Sequence, residues 1–129
     1  MLTSTIAAAV IGVHLTSVHL QPELAERNGN PEGYNDANPG LYVRTAAGWQ
    51  AGSYWNSHRK PTFYAGKAWT LVAGDGWDAG VFLAGATGYP AGSVVPMVAA
   101  SVRVGVIRFT ATPRVGDKAS AVVHASIEF

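Results

Sequence analysis

Cysteine is absent from this chain of 129 residues, which excludes disulfides, thiolate nucleophiles and Cys-based zinc sites. Charge is scarce as well, at 13% of the residues against the roughly 25% of an ordinary soluble domain. The formal net charge is +1, and the basic residues are scattered apart from Arg59-Lys60. That leaves no electrostatic footprint for nucleic acid. No run approaches the roughly 18–20 consecutive apolar residues of a transmembrane helix. Helix signals of any kind are few. The opening "MLTSTIAAAVIG" is small and apolar but has no Lys or Arg ahead of it, so it lacks the basic region of a secretory leader. Residues 1–10 read either as a signal remnant or as the approach to a first strand.

What remains is an apolar content of 48%, with 15 Gly, 4 Trp, 5 Tyr and 4 Phe. One domain over 1–129 is expected. Period-two segments alternate with turn signals at short intervals, the pattern of an all-β sandwich or barrel. The segments are "IGVHLTSVHL", "LYVRT", "WQAGSYWN", "TFYAGKAWTLV", "WDAGVFLAGATG", "VVPMVAASVRV", "VIRFTAT" and "SAVVHASIEF". They predict about eight antiparallel strands, with one long loop, "QPELAERNGNPEGYNDANPG", after the first.

The last strand alternates most clearly. Ala121, Val123, Ala125, Ile127 and Phe129 form an apolar face, and Ser120, Val122, His124, Ser126 and Glu128 a mixed one. In the hairpin before it, Val102, Val104, Ile107, Phe109 and Ala111 alternate with Ser101, Arg103, Arg108, Thr110 and Thr112. Apolar-out, polar-in alternation with a terminal aromatic residue is the signature of an outer-membrane barrel. A soluble barrel would invert the faces. Pro96 and Pro113, in or beside strands, each remove a ladder donor, as at a bulge or strand end. In a lipid-embedded wall such a gap would be a weak point for an acyl chain.

Four histidines are candidates for chemistry: His14, His19, His58 and His124. None forms a metal motif. His14 and His19 are five apart, which in a regular strand sets them on opposite faces. The stretch "WNSHRKPTFYAG" places Asn56, Ser57, His58, Arg59 and Lys60 between two aromatic-rich strands. A hairpin tip would carry such residues anyway. A Ser near a first-strand His could also serve acyl transfer, with imidazole as general base and Asn as orienter.

From Tyr34 to Phe129 the chain resembles the lipid A palmitoyltransferase family of small outer-membrane barrels. The likeness lies in "YNDANPG", in "YWNSHRKPTFYAGKAW", in the run from "GVFLAGATGYP" to "FTATPRVG", and in the terminal "EF". The resemblance implies an eight-stranded up-and-down barrel in a bacterial outer membrane. It implies a monomer that moves an acyl chain from phospholipid to lipid A without a cofactor. It also implies site residues: Ser57 matches the family's Ser, Asn56 stands where the family has Asp, and the base is His19 or His14. Pro96 and Pro113 fall where the family's lateral gates lie. Ala68 replaces a glycine at the floor of the acyl well, which favours a shorter chain. Arg59 and Lys60 at the rim are candidates for holding lipid phosphates, or are ordinary hairpin charges. The family's N-terminal amphipathic helix has no counterpart before the first strand. Asn56, being neutral, can orient an imidazole but cannot stabilise a histidinium. Two alternatives follow from these departures: a lipid-binding or interaction barrel without the chemistry, and a soluble, cytoplasmic or phage-associated barrel.

Overall fold

The computed structural model describes residues 9–26, 30–90, 92–113 and 120–129. Most of the possible signal remnant lies outside the described residues. The predicted strands all form: β1 (Val10–His19), β2 (Ala37–Arg44), β3 (Trp49–Trp55), β4 (Pro61–Gly74), β5 (Trp77–Ala86), β6 (Val95–Val104), β7 (Ile107–Thr112) and β8 (Val122–Glu128). Each pairs antiparallel with the next, and β1 pairs with β8 to close an eight-stranded barrel. Among the described residues the only helical element is a short 3-10 turn, Pro22–Leu24.

Closure assigns every strand residue to the lumen or to the outer surface. Val102, Val104, Ile107, Phe109 and Val123 face outward and are exposed, while Ser101, Arg103, Arg108, Thr110, His124, Ser126 and Glu128 face the lumen. The outward set on the other strands is equally apolar, including Ile11, Leu41, Val43, Trp49, Phe63, Trp69, Leu71 and Leu83. The outer surface is therefore the apolar one, the reverse of a soluble barrel.

The two mouths differ. At one, tight turns at 45–48, 75–76 and 105–106 join the strands, and the two ends of the barrel meet there through Ile11 and Phe129. Gly76 and Gly105 adopt φ of 77° and 61°, a left-handed conformation that a side chain would strain. The other mouth carries the connections 20–36, 56–60, 87–94 and 113–121.

Near the terminal mouth the lumen is crossed by ion pairs. The Arg44 guanidinium grips Glu128 with two bonds of 2.8 Å, and Arg108 Nε donates to the same carboxylate at 2.9 Å. Asp78 receives Arg103 at 2.7 Å and Arg108 at 3.0 Å, so one chain of charges links β2, β8, β7, β5 and β6. Tyr42 adds a 2.6 Å bond to Glu128 by crossing Gly12, which pairs with both residues. A Cβ on Gly12 would come within 1.9 Å of the Tyr42 ring. Above this floor lies a cluster of Tyr42, Tyr64, Phe82, Ala84, Ala86 and Ala99.

Replacing Glu128 by Gln leaves the Arg44 and Arg108 guanidiniums without their shared carboxylate in the lumen. The expected cost is about 3–5 kcal/mol, the usual penalty for stripping one partner from a buried ion pair. Equilibrium unfolding in detergent, compared with the parent chain, measures it.

Candidate functional site

A lumenal cavity of 1370 Å³ collects most of the residues singled out in the sequence: His14, His19, Ser57, Ala68, Pro96 and Pro113 all line it. Asn56, Arg59 and Lys60 do not.

The two first-strand histidines both face this cavity, contrary to the expectation from their spacing. The β1 ladders shift register between His14 and Thr16 on both sides, and against β8 Leu15 is the extra, bulged residue. One extra residue inverts the alternation beyond it, so Ser17 and His19 point inward along with His14. Their surroundings separate them. His14 is buried in the waist of the barrel. Its Nδ1 shares a 2.8 Å hydrogen bond with His124 Nε2, its Nε2 shares another of 2.8 Å with the Tyr64 hydroxyl, and Tyr42 and Tyr54 pack on its ring. With both nitrogens engaged, His14 is a packed core histidine. His19 lies at the loop mouth, at the end of β1.

The segment Tyr34–Asp36 joins His19 to the turn that carries Ser57. Tyr34 stacks on the His19 ring at 3.9 Å between centroids and meets His58 edge-on at 5.8 Å. The Asn35 N–H donates to the Ser57 carbonyl at 2.9 Å. Asp36 is pinned to β1 through its carbonyl, which accepts from the Ser17 N–H at 3.0 Å and from Thr16 Oγ1 at 2.6 Å. Its carboxylate consequently sits 3.8 Å from His19 Nδ1. The His19 side chain is only 5% exposed, and its Nδ1 makes no hydrogen bond. At 3.8 Å the contact is too long for a hydrogen bond.

Asn56 does something other than orient a histidine. It is fully buried, and its side-chain amide is consumed by the hairpin. Oδ1 accepts from the His58 N–H at 2.8 Å and the Lys60 N–H at 3.1 Å. Nδ2 donates to Thr62 Oγ1 at 3.0 Å and to the Gly88 carbonyl at 2.8 Å. An Asn folded over the following N–H groups is a turn-building device. Here it also ties the β3–β4 turn to the connection after β5.

Around these residues stand His58, already a candidate in the sequence, and three that patterning did not select, Asn30, Tyr89 and Asn38. His58 accepts from Asn30 Nδ2 at 2.6 Å and packs edge-on against Tyr89. Burial, with Lys60 nearby, holds His58 below its ordinary pKa, which suits a neutral ring accepting that bond. Tyr89 hydrogen-bonds Tyr54. Burial raises the pKa of Tyr89. Asn38, also fully buried, accepts from Ser17 Oγ at 2.6 Å. Arg59 is exposed, with φ of 59°, and donates to the Gly33 carbonyl at 2.9 Å, and Lys60 is exposed. Both rim cations thus lie outside the cavity.

Pro96 and Pro113 flank a discontinuity in the wall. The β6–β7 ladder ends at Ala100↔Ala111, so Val95–Ala99 pair with β5 and have no described partner on their other side. An outer groove of 420 Å³ opens there, with Leu20, Val98, Ala100, Ala111, Pro113 and Val123 among its walls. Val98, Thr112, Pro113 and Val122 border both this groove and the lumen. Ala68 faces the lumen opposite Phe82, at the foot of the apolar β5–β6 wall. Among the described residues no three metal-ligating side chains converge, and no helix is long and apolar enough to cross a membrane.

Asn56→Asp, which introduces the acid, should destabilise the barrel by about 1–3 kcal/mol, because a carboxylate cannot donate to Thr62 and Gly88. The deficit should shrink as pH falls and the new carboxyl regains its proton. Thermal unfolding of the variant at two pH values checks both. No protein-family model matches this chain, and no curated protein shows significant similarity to it.

Proposed function

We propose that this chain is an outer-membrane barrel that takes an acyl chain of a phospholipid into its lumen and transfers it to a hydroxyl group of lipid A. The observation that carries the membrane part is the orientation of the strands: large apolar side chains stand outward and exposed, and the charged strand residues other than Lys67 face the lumen. A soluble barrel would expose that surface to water. The gap beyond Ala100↔Ala111, bordered by Pro96 and Pro113, supplies the entry for the chain from the bilayer. The apolar wall formed by Ala84, Ala86, Val95, Met97 and Ala99 gives it a surface to lie on. Arg59 and Lys60 at the rim take phosphates of the lipids.

For the transfer, His19 is the general base and Asp36 is the acid that positions it. Asp36 takes the part expected of position 56, reaching the imidazole from the β1–β2 connection at 3.8 Å. With Nδ1 turned to Asp36, Nε2 is the nitrogen left for a substrate proton. It removes the proton of the lipid A hydroxyl as that oxygen attacks the ester carbonyl. The new ester bond forms, the old glycerol ester bond breaks, and the proton passes to the departing lysophospholipid oxygen. Ser57 Oγ, at the cavity wall, donates to the carbonyl oxygen as negative charge gathers on it.

A second reading, acyl binding without transfer, is favoured by one observation: the Asn56 amide is wholly engaged in its turn. Lipid A mass after expression with a functional export signal separates the two. The transfer reading expects one added acyl mass, lowered about 10²–10³-fold in rate by Ser57→Ala, the usual loss of one such donor. His19→Ala should abolish it, and His14→Ala should act through stability instead. Unchanged lipid A, with phospholipid still co-purifying, would leave the binding reading alone.

A further inference from the structure

On the outward face of the eight strands, among the described residues, one side chain is charged. Lys67 lies on β4 between the lumen-facing Gly66 and Ala68, paired with the outward Trp49 on one side and Leu83 on the other. Its ammonium stands 4.9 Å from the Trp49 ring centroid and 5.7 Å from that of Trp69. None of the ion pairs among the described residues includes it. A lysine in an apolar wall is costly unless its ammonium reaches the interface and meets an anion there. Trp49 opens β3 directly after the turn at 45–48, so this place belongs to the terminal mouth. Trp77, which opens β5, adds a third indole at that end. Aromatic rings with a long cation among them mark the headgroup level of a bilayer.

We propose that Lys67, held between Trp49 and Trp69, binds the phosphodiester of a phospholipid in the leaflet at the terminal mouth. The proposal rests on the membrane reading above and goes beyond it. Its site is on the outer wall, at the end of the barrel opposite Ser57 and His19, and it takes a headgroup where the lumen takes a chain. The indole faces stabilise the ammonium and fix its direction. The ammonium supplies the point charge and the N–H donors that a phosphate oxygen accepts.

The test uses the full chain in detergent micelles, titrated with dioleoyl phosphatidylglycerol, with dioleoylglycerol and with inorganic phosphate, and read by native mass spectrometry. The parent chain should retain phosphatidylglycerol about fivefold more than dioleoylglycerol, the size of effect expected of one lysine at a phosphate surface. Lys67→Arg should keep the preference, and Lys67→Gln should lose it while inserting into vesicles as the parent does. An unchanged preference in Lys67→Gln would overturn the proposal, and so would equal retention of inorganic phosphate. Failure of the parent chain to insert into vesicles would overturn the membrane reading and this site together. Insertion without headgroup preference would overturn this site alone.

Discussion

The pairing of β1 with β8 is the constraint on which the rest depends. An open sheet can twist a charged side chain toward water at its edge, but a closed one has only a lumen and an outer wall. Five charged residues on the strands go inward, and in a narrow lumen they must neutralise one another. Glu128 on β8 meets Arg108 from the adjacent strand and Arg44 from across β1. The bare Gly12 between them lets Tyr42 reach the same carboxylate. The floor of the barrel is thus a consequence of closure, assembled from residues far apart in the chain.

The loop mouth is organised by a different device. Without the bulge at Leu15, His14 and His19 would face opposite sides of the wall, and His19 would point outward. With it, the histidine at the strand end turns back over the lumen, where Tyr34 and Asp36 receive it. The connection from β1 to β2 then does for His19 what the β3–β4 turn does for Ser57, and the Asn35–Ser57 bond fastens the two connections to each other.

Strand number and the two faces of each strand were legible in the sequence because a two-residue period survives local distortion, whereas which face points outward rested on composition and the terminal Phe. Val102 to Ala111 and Val123 to Phe129 could be sorted without knowing any partner. The orientation of His19 was not legible, since the bulge is set jointly by ladders to β2 and β8 and leaves no mark of its own in "VIGVHLTSVH". Asn56 was found as a distinctive residue, but the turn it builds was not legible. Its partners, Thr62 and the Gly88 carbonyl, become neighbours only after β4 and β5 pair. Asp36 escaped notice for the same reason: inside a polar loop nothing distinguishes it until its backbone bonds to Thr16 and Ser17 place it. An acid does stand beside His19 at this mouth, supplied by the β1–β2 connection and not by position 56.

Where a bound acyl chain would stop follows from the layering of the lumen. Along β5 and β6, the apolar wall runs from Ala86 and Val95 at the loop mouth to Phe82 and Ala99. The next inward pair is Gly80 with Ser101, whose hydroxyl accepts from Arg108, and beyond it Asp78 pairs with Arg103. Ala68 stands opposite Phe82, at the boundary. A chain passing it would press hydrocarbon against the guanidiniums and displace their hydrogen bonds. Loss of a partner for a buried charge costs more than a methylene gains by burial, about 0.8 kcal/mol. The ionic floor would therefore limit chain length in this barrel, with Ala68 marking the depth at which that limit begins.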